Sequence, residues 1–170
     1  MYAAVGRPDQ RPLTIHVASS QEFLEYAGDN QRAVLLAKRF LPGPLIVLIR
    51  KPPFLSDEFA AGLQTLAFRV PDDPLAAAIL ERCGPLAGTT VNSRDGDGRR
   101  YRGGNDTAGL PAADLLVEHG PTRFDRESTI VDITGSHVRL LREGVVAEAR
   151  LAELLGPIER PTIKVRTQRS

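Results

Sequence analysis

Leu45 to Ile49, read LIVLI, is an almost unbroken run of leucine and β-branched residues, bounded on its N-terminal side by Pro42-Gly43-Pro44. A strand apolar on both sides has to be covered on both faces, and such strands lie inside α/β sheets rather than on the outside of a sandwich. The chain therefore needs helices above and below this strand.

The neighbouring sequence supplies them. Leu13 to Ala18 reads as a strand by its apolar density and flanking prolines, and Ser19 or Ser20 can cap a helix through Ala27. Gln31 to Phe40 carries Val34, Leu35, Ala37 and Phe40 at helical spacing and is stopped by the Pro-Gly-Pro run. Leu66 to Val70 is a second central strand, and Pro74 to Cys83 a helix with proline in its first turn. Leu86 to Val91, Ala113 to Val117, Thr129 to Thr134 and Val138 to Arg142 read as further strands, the last two joined as a hairpin at Gly135-Ser136. A short helix over about Ala147 to Leu155 closes the series. The expected fold class is α/β: one domain over residues 1–156 with a twisted mixed sheet and flanking helices, then a basic tail over 157–170.

With 170 residues, 42% hydrophobic and 25% charged, the chain is long enough for one well-buried core. It has no apolar run long enough to cross a bilayer and no basic-then-apolar opening, which favours a cytoplasmic location. Cys83 is the only cysteine, so no internal disulfide forms, and its apolar setting suggests a buried thiol rather than a nucleophile. Three scattered histidines and one cysteine argue against a structural zinc site. The net charge of +1 is unevenly spread. Arg94, Arg99, Arg100 and Arg102 lie in the loop SRDGDGRRYRGG, and Arg160, Lys164, Arg166 and Arg169 crowd the tail. Such runs can track phosphates or nucleic acid, although solvated basic segments are commoner.

The stretch Gly6 to His16, GRPDQRPLTIH, holds two arginines on backbone stiffened by Pro8 and Pro12. A guanidinium restrained in this way loses little entropy when it meets a phosphate or carboxylate. Alone, the string reads as an ordinary surface loop. Other polar groups, however, also stand where strands meet loops: Thr65 and Arg69, Thr89, Thr90 and Asn92, then Glu127, Ser128 and Thr129, and finally Arg142. Ligands of open α/β sheets bind at strand ends. A cleft rich in arginine and small hydroxyls suits an anion such as a nucleotide.

The order RPxxxPLxxH, PGPL, TxxxRVPDxP, TxN, ESTIVD and LLRxG, running from Gly6 to about Val146, resembles the YrdC-like family of threonylcarbamoyl-AMP synthases. The resemblance implies a YrdC-like fold and a nucleotidyltransferase that converts L-threonine, bicarbonate and ATP, with Mg2+, into threonylcarbamoyl-AMP and pyrophosphate for tRNA modification. By that resemblance Arg7, Arg11, Thr65, Thr90, Asn92 and Arg142 meet the nucleotide, and His16, Arg69 and Ser128 meet threonine. Arg69 would pair with the threonine carboxylate.

The departures carry expectations of their own. Val5 stands where the family has the lysine of its KxR element, and the family's Pro-Thr-x-Thr-x-Tyr-Gly string would precede Gly6. A member altered in this way is expected to bind nucleotide or double-stranded RNA with reduced turnover, the alternative to an active synthase. An opening strand missing from the sheet would leave an edge that favours a homodimer or another partner chain.

Overall fold

The computed structural model describes residues 13–55, 60, 62–88, 113–117, 123–124 and 126–161. Within these residues the chain forms β1 (Thr14–His16), α1 (Ser20–Ala27), α2 (Gln31–Phe40), β2 (Leu45–Arg50), β3 (Thr65–Arg69) and α3 (Pro74–Cys83). It continues through β4 (Leu86–Gly88), β5 (Thr129–Asp132), β6 (Val138–Arg142), α4 (Glu148–Leu155) and β7 (Ile158–Glu159). The strands make one mixed sheet in the order β4-β1-β3-β2-β5-β6-β7. The expected α/β architecture is therefore present, with LIVLI in the middle.

Local chemistry starts the helices where the sequence indicates. The Ser19 hydroxyl accepts from Glu22 N at 3.1 Å, and the Asn30 side chain accepts from Arg32 N at 3.0 Å and Ala33 N at 3.2 Å. Asp73 caps α3 through Ala76 N at 2.8 Å, with Pro74 following as first helical residue. Each cap satisfies amide hydrogens that the first turn of a helix leaves unpaired.

Burial separates the two faces of the sheet. On one face Ile15, Leu45, Val47, Phe68, Val131 and Leu140 are buried and pack with Phe23, Leu36 and Leu151 from α1, α2 and α4. Fully burying a side chain such as Phe23 or Phe68 is worth roughly 1.5–3 kcal/mol. The alternate positions belong to the second face: Thr14 and His16 on β1, Ala67 and Arg69 on β3, Ile46 and Leu48 on β2, Ile130 and Asp132 on β5. That face carries the polar residues.

Three expectations are corrected. Residues 113–117 form no strand, and Leu115, Leu116 and Val117 are exposed at 77%, 49% and 48%. An apolar count identifies a strand candidate but supplies no partner to pair with. The sheet continues beyond residue 156, because β7 pairs with β6 through Val138↔Ile158 and Arg139↔Glu159, so the segment read as tail begins inside the sheet. Next to it Arg160 pairs with Glu143 at 2.6 Å and with Glu148. Cys83 is exposed rather than buried, since α3 buries only Leu80. The strand from Leu86 is described only to Gly88, and its expected continuation to Val91 lies outside the described residues.

Candidate anion-binding site

Strand register gathers the polar residues of the second face into one row. β1 and β3 are parallel with His16↔Arg69. β2 runs antiparallel to β3 with Val47↔Phe68, so one further step sets Ile46 beside Arg69. Ile46 then faces Ile130 across the parallel β2–β5 pair, and Ile130 faces Arg142. His16, Arg69, Ile46, Ile130 and Arg142 thus cross the sheet in line at one rim. Neighbouring strands lie about 4.8 Å apart, so the Arg69 and Arg142 backbones are separated by roughly 14 Å, which two arginine side chains can largely span.

Arg142 joins this row because of a bulge. Asp132 pairs with Arg139 and Val131 with Leu140, but Ile130 pairs with Arg142, leaving Leu141 without an opposite residue. Uninterrupted alternation would put Arg142 on the same face as buried Leu140. The extra residue changes the phase and carries its guanidinium to the face of His16 and Arg69. There its Nε donates to Ser128 O at 3.0 Å, and Nη1 lies 2.9 Å from Glu127 Oε2.

Arg69 is the least satisfied group in the row. Its Nε is buried and has no hydrogen-bond partner. Burial, with Arg142 adding like-charge repulsion, makes the guanidinium less basic than usual. A buried donor without an acceptor costs on the order of 1–3 kcal/mol, a cost that an entering anion would relieve. His16 is shaped by the same charge. Burial lowers its pKa first and Arg69 lowers it further, while hydrogen bonds from the ring to the backbone of Thr14 and Leu86 oppose them. The neutral ring donates from Nδ1 to Thr14 O at 3.2 Å, leaving Nε2 as an acceptor. The ring also packs closely against Gly88, where an added Cβ would fall 2.7 Å from Cε1 and 2.8 Å from Nδ1.

Ser128 is buried at the same rim, immediately before β5, and Thr129 N donates to Pro44 O at 3.0 Å, tying the ESTIVD string to the PGPL turn. Thr65 is not brought to this row. It begins β3 opposite Arg50, about 13 Å along the strand from Arg69. Arg7, Arg11, Thr90 and Asn92 lie outside the described residues. At Thr65's rim is a cavity of ≈ 420 Å³ lined by Asn30, Arg32, Arg50 and Thr134 among others. Its arginines are engaged by backbone, Arg32 with Gly135 O at 2.8 Å and Arg50 with Thr134 O at 2.8 Å.

The rim carries one further fixed carboxylate arrangement away from the row. Asp132 is buried, which by itself raises its pKa, but hydrogen bonds from the Thr134 hydroxyl and amide and from Arg139 outweigh that and hold it low. Among the described residues no group of three or more His, Cys, Asp or Glu side chains could hold a metal ion. Sequence reasoning named Thr129 only as a polar residue at a strand start, and missed its clamping role, Gly144 and the bulge at Leu141. The ESTIVD and LLRxG strings contain all three, but only the pairing of β5 with β6 shows what they do.

A family model named Sua5_yciO_yrdC, described as telomere recombination, matches residues 1–144. The chain belongs to the Sua5/YciO/YrdC family. Among Sua5/YciO/YrdC relatives, the threonylcarbamoyl-AMP synthase of Bacillus subtilis is 34% identical over a 163-residue alignment that covers 93% of this chain and 46% of that protein. A putative threonylcarbamoyl-AMP synthase of Mycobacterium tuberculosis H37Rv is 31% identical over a 165-residue alignment that covers 92% of this chain and 72% of the relative. The structure of Pyrococcus abyssi Sua5 complexed with L-threonine matches with a TM-score of 0.79 at 29% identity, over 94% of this chain and 48% of that one. The chain spans about half the length of the Bacillus and Pyrococcus synthases.

Proposed function

We propose that this chain carries the nucleotidyltransferase chemistry of a threonylcarbamoyl-AMP synthase, with L-threonine, bicarbonate and ATP as substrates. The observation that carries the proposal is the buried, unpartnered Arg69 Nε beside Arg142 and a neutral histidine. In this reading Arg69 takes the threonine carboxylate through its planar fork, and His16 Nε2 and Ser128 accept or donate to the rest of the amino acid. Arg142 faces the nucleotide, together with Arg7, Arg11, Thr90 and Asn92, while Thr65 stands at the other rim and takes no part.

The threonine amine captures bicarbonate with loss of water. The resulting carbamate oxygen attacks the α-phosphate of ATP, and pyrophosphate leaves. Such a transfer asks the protein for in-line placement and fixed cations near developing phosphate charge, which guanidinium groups on strand ends provide. Mg2+ would arrive on the nucleotide phosphates, since the described rim offers Glu127 and that carboxylate is paired with Arg142.

Continuous detection of pyrophosphate tests the proposal. Release is expected only when ATP, threonine and bicarbonate are all present. Release indifferent to threonine, or none from pure protein, would overturn it.

A further inference from the structure

Thr129 is fully buried at the base of β5, and its hydroxyl uses every hydrogen-bonding position it has. Oγ1 donates to Val146 O at 2.6 Å and accepts from Gly144 N at 2.9 Å and Val146 N at 3.0 Å. Alongside, Val145 N donates to Glu127 O at 3.0 Å. Gly144 packs so closely on the same segment that an added Cβ would lie 2.6 Å from the Ser128 carbonyl carbon and 2.7 Å from Thr129 N. One hydroxyl therefore fastens the turn after β6 to the backbone that enters β5.

This fastening acts where the anion row is assembled. The bulge at Leu141 interrupts the regular β5–β6 ladder immediately before Arg142, and beyond it the ladder continues only through the pair Ile130↔Arg142. Arg142 lies between that break and the turn held by Thr129. Its Nε reaches Ser128 O only if the two segments keep their spacing. We propose that Thr129 is a positioning residue whose buried hydroxyl sets Ser128 and Arg142 relative to each other, a role that rests on the anion-site reading above. It touches no substrate and acts through these two neighbours.

Two readouts test the role on the whole chain: hydrogen exchange of the Arg142 Nε–H by NMR, and the Kd for Mg-ATP. Thr129→Val removes the hydroxyl at nearly constant shape, Thr129→Cys weakens it, and Thr129→Ser keeps it. The expected result is exchange about tenfold faster in the Val and Cys variants, with Ser matching the parent. ATP affinity should fall about tenfold in Val and Cys and stay within roughly threefold of the parent in Ser. If Thr129→Val does not fold, the Ser and Cys variants decide the matter. Equal Nε exchange in Ser and Cys would overturn the proposal, as would a folded Val variant with parental exchange and parental ATP affinity. A parent that binds no ATP would contradict the nucleotide reading instead, while the exchange comparison would still decide the role of Thr129.

Discussion

At the scale of single residues, the unusual feature is the buried Arg69 guanidinium, whose Nε has no partner, while its cationic neighbour Arg142 is balanced by Glu127. Arg69 is buried beside Arg142, and the nearest titratable neighbour in the row, His16, answers by giving up its proton more easily. The sign of the pH effect follows. His16 has a lowered pKa in the fold, so the unfolded chain binds more protons between the folded value and the unfolded value near 6.5. His16's contribution to stability is therefore complete above about pH 6.5 and declines as pH falls toward its folded value. Gly88→Ala should expel the ring from its place against the strand. Proton NMR titration is expected to show the His16 pKa rising back toward about 6.5, and denaturant melts should show less stability lost between neutral and mildly acidic pH. An unchanged His16 titration in Gly88→Ala would mean that the ring is not held as described.

At the scale of elements, the bulge in β6 matters more than any strand's length. VRLLR opens with alternating Val138, Arg139 and Leu140, and carrying that alternation on would place Arg142 with Leu140 in the core. Deleting Leu141 should restore unbroken pairing and still leave Arg142 opposite Ile130 on the polar face, because Arg142 then follows Leu140 directly. The deletion is expected to keep ATP affinity within about threefold of the parent. Urea denaturation with a parallel ATP titration reads fold and binding together. A folded deletion variant that binds ATP at least about tenfold more weakly would show that pairing with Ile130 does not orient Arg142.

The limits of legibility are of the same kind. The starts of α1, α2 and α3 were readable because Ser19, Asn30 and Asp73 act locally, and LIVLI was readable because its composition fits one environment. Residues 113–117 were misread because strand formation needs a partner that the segment itself cannot name. Two-residue β7 carries too little pattern to be seen, and exposed Cys83 shows that an apolar helix need not bury each apolar turn. His16, Arg69, Ser128 and Arg142 could be picked from their motifs, yet the register that aligns three of them and the hydroxyl of Thr129 are properties of pairing, not of any one string.

At the scale of the molecule, the way the sheet is wound brings distant segments to one rim: the ends of β1, β3 and β6 and the start of β5 all point the same way. The buried, unpartnered Arg69 Nε is a cost to the unliganded fold that the proposed anion would relieve. That trade gives the most direct test, because a receptor group and a packing group respond oppositely to replacement by an apolar side chain. Arg69→Met removes a buried unpartnered donor and a like charge while keeping much of the side-chain volume. Removing them is expected to leave stability unchanged or raise it by on the order of 1 kcal/mol. Titration calorimetry with L-threonine, paired with a thermal melt, should find Arg69→Met at least about tenfold weaker in binding than the parent, with a Tm equal or higher. Parental threonine affinity in a folded Arg69→Met variant would contradict the account.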